Sequence, residues 1–393
     1  MRTGGGSAPS ALLVSLDTLR ADVALSGRFP SFERLRASGV TFSTTVSSAP
    51  ITPVSHASIL SGRQPFNHGL RYLLREPIRE GTPTLATVLA AAGYRTGAVV
   101  SCPGLNRWYG LGAGFGHYDD EIPPLADGRD PLAVADVKLR GTALKRAPAV
   151  VDRALDWVAR HREERFLLFV HFFDSHWPYE PPALFDVPIA NAYEGEVAYM
   201  DHHLGALLDG IEALGLPLEE MVTICLSDHG EDLGGWYDDD HAAAHPEEEG
   251  HGTLLFDVTQ MVPLWVIAPG LPAGLEVSAQ IRLVDVLATM LDLLGVDAPP
   301  NDGASVLELI AGRGVDRPAY FEAFHREEVA LTRQELAHLV AWKGIRVDPR
   351  RKVIWEASGD AAWVFDLEAD PCEVEPVELV GGAWRTAAES AVA

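Results

Sequence analysis

Three short runs of continuous apolar residues, each ending at an aspartate, constrain this chain more than any other feature. ALLVSL at 11–16 runs into Asp17, FLLFVHFF at 166–173 into Asp174, and MVTICLS at 221–227 into Asp228 and His229. Runs of this length without polar alternation suit strands buried on both faces, as in a parallel sheet covered by helices. Helical patterns are expected at 32–38, at 85–92 after a cap signal at Thr82-Pro83, and at 149–164, 193–214 and 283–294, with further strands at 95–101 and 261–268. The alternation predicts an α/β fold, an α/β/α sandwich around a mostly parallel sheet. Ligands of open sheets bind beyond the carboxyl ends of the strands, so Asp17, Asp174 and Asp228 are expected to converge. An aspartate at a strand end is also a common turn former, which explains any one of the three. Together, with His176 and His229 close to two of them, they make the carboxylate-imidazole set that binds metals.

A chain of 393 residues, 47% hydrophobic, is long enough for one large domain plus an appendage. Its formal net charge of −25 makes the average surface hostile to nucleic acid and to anionic membrane. A small anionic substrate then needs local cations, which again points to metal. No apolar run approaches a membrane span, and the opening MRTGGGSAPS lacks the regions of a secretory signal. Cys102, Cys225 and Cys372 form no disulfide framework or zinc-finger spacing, so a reducing cytoplasm is expected. The sequence does not indicate an oligomeric state.

The stretch SAPITPVSHASILSGRQPFNHG at 48–69 contains a second kind of signal. Thr-Pro ahead of an apolar run predicts a helix with Thr52 at the N-cap and Pro53 in the first helical position. The unpaired N–H groups and positive dipole end there suit an anion, and the Thr52 hydroxyl is either a helix cap or a nucleophile.

Taken in order, VSLDTLRAD, ITPVSHASILSGRQPFNHG, AAGYRTGAVVS, HFFDSHWPYEPP, LSDHGEDLG, GHGTLLFDVTQMVPLWVIAPG and WVFDLEADPCEVEPVEL resemble the successive blocks of the sulfatase group within the alkaline phosphatase superfamily. The resemblance implies a catalytic core over 1–316 and a C-terminal α+β subdomain over 317–393 carrying a short antiparallel sheet. It also implies a nucleophile and metal at the sheet's carboxyl edge. The departures are informative. Where type I sulfatases carry Cys-x-Pro-x-Arg, with the cysteine converted to formylglycine, this chain has Thr52 and His56. Thr18 and His229 replace an aspartate and an asparagine of the family's all-oxygen calcium set. The implied ligands are therefore Asp17, Asp228, His229 and Thr52, a set that favours zinc or manganese. Ser101 stands near the place of one family lysine and His251 at another.

Thr-nucleophile phosphodiesterases of the superfamily hold a second metal with Asp, His and a late His, and Asp174, His176 and His251 occur in that order. The alternative gives His176 and His251 to the substrate, one of them protonating the leaving group. His56, Ser101 and Asn106 are further substrate-binding candidates. The expected function is metal-dependent hydrolysis of phosphate or phosphonate esters through Thr52. A sulfatase without formylglycine, a phosphoryl transferase to an alcohol, or a silent binding protein are the alternatives. The acidic run Asp238–Asp240 with His241, His245 and Glu247–Glu249 reads as a solvated lid or an accessory metal site. Trp108, Tyr109, Trp177 and Tyr179 are candidate pocket walls, whereas His202 and His203 read as surface or packing residues and His161 and His325 carry no signal.

Overall fold

The computed structural model describes residues 8–73, 76–134, 136–185, 191–233, 250–324, 341–357 and 361–380. The nine strands of the main sheet are β1 (Ala11–Leu16), β2 (Val40–Val46), β3 (Arg95–Val99), β4 (His117–Asp119), β5 (Phe166–Phe172), β6 (Val222–Leu226), β7 (Met261–Ile267), β8 (Leu275–Val277) and β9 (Ile281–Arg282). Their order is β4-β3-β5-β1-β6-β7-β2-β8, with β9 also paired to β2. All pairings are parallel except those of β7, which runs against both β6 and β2. The three apolar runs ending in aspartate are neighbours at the centre, β5-β1-β6. They are buried along their whole length, which is why their side chains show no polar alternation.

Alternate side chains of each central strand feed two cores. Leu13 and Phe169 face a layer formed by α2 (Thr52–Ser61), α3 (Leu85–Ala91) and α6 (Asp285–Leu294). Leu12, Val14 and Leu168 face the layer of α1 (Pro30–Ser38), α4 (Ala147–His161) and α5 (Ala192–Ala213). The expected α/β/α sandwich is therefore present. Two local expectations are corrected. Strand β2, VTFSTTV, was not anticipated, because its Ser/Thr centre breaks the apolar run; its β-branched threonines are the signal it does carry. The cap of α3 is Thr84 rather than Thr82-Pro83: the Thr84 hydroxyl accepts from the Thr87 N–H, and the Thr87 hydroxyl accepts from Thr84 in return. No helix among the described residues is long and apolar enough to cross a membrane.

A separate five-stranded antiparallel sheet follows, with β10 (Ala319–Ala323), β11 (Trp342–Asp348), β12 (Arg351–Glu356), β13 (Ala361–Asp366) and β14 (Val377–Val380) paired in chain order. Phe321, Ile354 and Phe365 pack on Val46, Leu255 and Phe256 of the main unit. Ion pairs reinforce this apolar seam. Arg71 grips the buried Glu322 with both Nε and Nη2. The fully buried Lys352 ammonium sits 2.9 Å from Asp257 and 2.7 Å from Glu373. Removing one member of a buried ionic cluster leaves its partners desolvated and uncompensated, at about 3–5 kcal/mol. Lys352→Ala is therefore expected to lower unfolding stability by about that amount in urea denaturation. An unchanged midpoint would remove Lys352 from the seam's energetics.

Candidate active site

The central strands end at one edge, and the turns beyond them bring the expected side chains together. Leaving β1, Thr18 adopts φ 54°, a left-handed conformation that is unfavourable for a β-branched residue. This conformation aims its backbone N–H at Asp228 Oδ1, 3.3 Å away. The turn is held by Leu19 N–H donating to Ser227 Oγ at 3.0 Å and by Ser175 Oγ donating to the Asp17 carbonyl at 2.6 Å. On the β6 side, a side chain at Gly230 would stand 2.0 Å from the Val258 carbonyl, so only glycine lets the chain turn there and present His229.

Asp17, Asp228 and His229 are each completely buried, and one ligating atom of each lies within 4.8 Å of the others. Each carboxylate is half satisfied. Asp17 Oδ2 is 3.0 Å from His171 Nε2 and Asp228 Oδ1 accepts from Thr18, while Asp17 Oδ1 and Asp228 Oδ2 have no hydrogen-bond partner. His229 Nδ1 lies 2.9 Å from the Gly230 carbonyl and so carries the proton. Its Nε2 faces the cluster, 3.3 Å from Asp228 Oδ2 and 3.3 Å from Thr52 Oγ1. Burial pushes Asp17 up to about 7, against the opposing pull of His229, and raises Asp228 as well, with the charge of Asp17 adding to the effect. Burial opposes charge on His229, but Asp228 and Asp17 outweigh it and raise its pKa, so Nε2 gives up its proton when a cation binds; with the two orphaned carboxylate oxygens it makes the donor set that a divalent cation completes. The residues fit such an ion.

Helix α2 begins at Thr52 itself, with Ile51 in the cap position and no side-chain cap bond, which corrects the expected role of Thr52 as N-cap. Pro53 is tolerated one position further in, and the Thr52 hydroxyl is left to face His229 instead of its own helix. His56, one turn on, is completely buried. Its Nδ1 is 2.8 Å from the Thr52 carbonyl and its Nε2 is 2.9 Å from Ser15 Oγ, so both ring nitrogens are engaged inside the protein. Burial lowers its pKa to about 4. Ser101, also buried, holds His171 at 2.9 Å. Asn106 caps a short turn, accepting from the Trp108 N–H at 2.9 Å and donating to Asp120 at 3.0 Å.

The remaining metal candidates stand apart from this set. Asp174 Oδ1 accepts from the first N–H of α4 at 3.1 Å and pairs with Arg146 at 3.2 Å. His176 stacks on Phe173 with ring centroids 4.1 Å apart, His251 lies 4.9 Å from His176, and His229 lies 4.3 Å from His251. The three imidazoles thus form a row leading out from the Asp17-Asp228-His229 cluster. Among the described residues, the second group of ligating atoms within 4.8 Å is Asp17, Cys102 and His171; Asp174, His176 and His251 belong to neither group. Three residues of the site were not anticipated: His171, Cys102 and Glu231, whose buried carboxylate is 2.9 Å from His251 Nδ1. A polar residue interrupting an apolar strand is the signal His171 carries, and Glu231 stands two places beyond His229. Trp108 and Trp177 are exposed, Tyr109 is buried and Tyr179 half-buried. His202 and His203 contact each other and their helix neighbourhood, and His161 pairs with Glu164. The acidic run 238–240, His241, His245, residues 247–249 and His325 lie outside the described residues.

Residues 9–296 match the sulfatase family. The chain belongs to that family. Mouse arylsulfatase K is 29% identical over 185 residues, 46% of this chain and 31% of that protein, so the chain spans only about a third of this relative's length. Rat N-acetylgalactosamine-6-sulfatase is 24% identical over 454 aligned positions, covering 98% of this chain and 84% of the relative. A phosphonate monoester hydrolase from Silicibacter pomeroyi superposes with a TM-score of 0.74 at 19% identity, over 92% of this chain and 90% of the other; that likeness is one of fold.

The half-satisfied carboxylates of this sulfatase-family site make a thermodynamic prediction. Without a cation the Asp17-Asp228 pair opposes folding; an ion that binds only the folded state adds about 2.7 kcal/mol at a concentration one hundred times its Kd. In thermal denaturation, Asp228→Asn is expected to melt at or above the wild type in chelator and to lose the rise in Tm that divalent ions give the wild type. An equal metal-induced rise in both proteins would contradict the assignment.

Proposed function

We propose that this sulfatase-family protein is a metal-dependent hydrolase of phosphate or phosphonate esters that works through a covalent intermediate on Thr52. The observation that carries the reading is the Thr52 hydroxyl standing 3.3 Å from His229 Nε2, beside the two orphaned carboxylate oxygens. Asp17, Asp228 and His229 would hold the cation, with Thr52 in reach. An imidazole in the set favours zinc or manganese over calcium. When bound, the ion supplies Lewis-acid charge that lowers the pKa of a neighbouring hydroxyl.

The other parts belong to the chain. Thr52 Oγ1 attacks phosphorus, and the positive end of the α2 dipole favours the negative charge that develops on the transferred group, although Pro53 has no N–H and the Val54 N–H is bonded to the Ile51 carbonyl at 3.0 Å. His251, whose Nδ1–H is engaged by Glu231, and His176 beside it, whose Nδ1 is engaged by the Trp177 carbonyl, stand at the outer end of the imidazole row, where the open Nε2 of one of them takes up the proton that Thr52 releases and delivers it to the departing oxygen. Water then cleaves the Thr52 ester at phosphorus. A threonine ester has no second hydroxyl through which to collapse by elimination, so its release depends on attack at the central atom, which favours phosphoryl and phosphonyl groups over sulfuryl ones. Sulfate-ester hydrolysis is the second reading, supported by the names of the arylsulfatase K and N-acetylgalactosamine-6-sulfatase relatives.

Thr52→Ala is expected to lower kcat by roughly three orders of magnitude or more while leaving metal content unchanged, and Thr52→Ser to keep part of the activity. In a matched panel of aryl phosphonate, phosphodiester, phosphate and sulfate esters with zinc or manganese, the phosphorus esters are expected to give the higher kcat/KM. A higher value for the sulfate would transfer the assignment to the second reading, and wild-type rates in Thr52→Ala would remove the nucleophile.

A further inference from the structure

Asp17 has one oxygen without a partner, and the other is held by a side chain that plays no part in the chemistry above. His171 lies in β5 directly opposite Ser15 in the parallel pairing with β1, on the face covered by α2. The Ser15 hydroxyl is bonded to His56, and the His171 ring passes beyond it to reach Asp17 Oδ2 at 3.0 Å. On its other side, His171 Nδ1 meets Ser101 twice, at 2.9 Å from the hydroxyl and 3.4 Å from the backbone N–H. A peptide N–H can only donate, so Nδ1 is the accepting nitrogen and the ring proton sits on Nε2, facing Asp17. Ser101 is fixed in turn, because its carbonyl accepts from the Lys145 N–H at 2.8 Å. The ring is confined by His56 edge-on at 5.1 Å and by Phe169 and Phe173.

We propose that His171 is a positioning residue for the cation: its Nε2–H occupies Asp17 Oδ2 and so turns Oδ1 toward Asp228 and His229. The proposal rests on the reading of Asp17, Asp228 and His229 as metal ligands. A neutral donor is the right partner there. A cationic donor would cancel the charge the ion needs, whereas an apolar neighbour would leave both oxygens free to rotate. Such partners of ligating groups are typically worth 10–100-fold in metal affinity. The geometry also allows a rival role, since Cys102 joins Asp17 and His171 in a second group of potential ligands. The protonated Nε2 cannot ligate, and the unprotonated Nδ1 is already taken by the Ser101 hydroxyl and N–H, which argues against it.

The test is calorimetric titration of chelator-treated protein with Mn2+ and with Zn2+. His171→Leu is expected to bind either ion about 10- to 100-fold more weakly than wild type. His171→Gln, whose amide nitrogen falls near the place of Nε2, is expected to recover most of that loss. His171→Asn, whose amide falls near Nδ1, is expected not to, and it serves in place of the leucine variant should that one fail to fold. Cys102→Ala is expected to bind as wild type. Wild-type affinity in both His171→Leu and His171→Asn would overturn the proposal. So would a glutamine variant as weak as leucine, or a Cys102→Ala variant as weak as His171→Leu, either of which would make His171 a ligand. Failure of the wild type to bind either ion, with Asp228→Asn indistinguishable from it, would instead overturn the metal reading on which the proposal stands.

Discussion

Two carboxylates buried against each other are the constraint on which this site depends. Asp17 and Asp228 come from adjacent parallel strands, so the hydrogen-bonded register of β1 with β6 sets their separation. Their burial is the direct consequence of the same sheet being covered on both faces. Desolvated like charges raise each other's pKa, and among the described residues no lysine or arginine is paired with either carboxylate. The basic residues nearby are committed: Arg146 to Asp174 and Glu196, and Lys145 to Asp119. What the fold supplies instead is one neutral donor per carboxylate, the Thr18 N–H and the His171 imidazole. Each leaves one oxygen open. That division of labour suits an ion and nothing larger.

Much of this was legible in the chain, and the reasons are specific. β1, β5 and β6 announce themselves because strands buried on both faces need no polar alternation, and an aspartate at their carboxyl ends is conspicuous for the same reason. β2 was hidden by its Ser/Thr centre. The pairing of His171 with Asp17 was invisible because it depends on which strands are neighbours and in what register, and no local pattern encodes that. Glu231 and His251 are 20 residues apart with an undescribed segment between them, so only the closed chain reveals that they meet. The role of Thr52 turned on a single residue of helix phase. One position earlier and its hydroxyl would cap α2; as the first helical residue it faces His229.

The imidazoles carry the remaining argument. A lysine brings a permanent charge, which in a chain of net charge −25 would readily be drawn into an ion pair, as Lys145 and Lys352 are. Desolvation holds most of these rings neutral: His56 is lowered to about 4, and His176 and His251 also lie below their ordinary value, whereas His229, facing Asp228 and Asp17, is raised. Neutral rings can accept, donate or ligate according to the partner on the far nitrogen, and here each far nitrogen is assigned. Gly230 engages one nitrogen of His229, Trp177 one of His176 and Glu231 one of His251. The tautomers, and so the atoms presented to the pocket, are set by backbone carbonyls and one buried carboxylate rather than by the substrate.

Thr18 shows what this arrangement costs. A β-branched residue in the left-handed region is worth of order 1–3 kcal/mol of strain, and a glycine at the same place would relieve it. The strain is retained at the one turn where a backbone N–H can reach Asp228 Oδ1, and the threonine side chain adds a hydroxyl 3.4 Å from Ser175, whose own oxygen bonds to the Asp17 carbonyl. A glycine would keep the Tyr193 hydroxyl on its carbonyl at 2.8 Å but lose the hydroxyl that ties the turn to Ser175, and so would be freer to turn that N–H away. Thr18 therefore acts through its backbone. It orients one carboxylate directly and braces the turn that delivers the other, so the carboxylate pair is held in place by peptide groups.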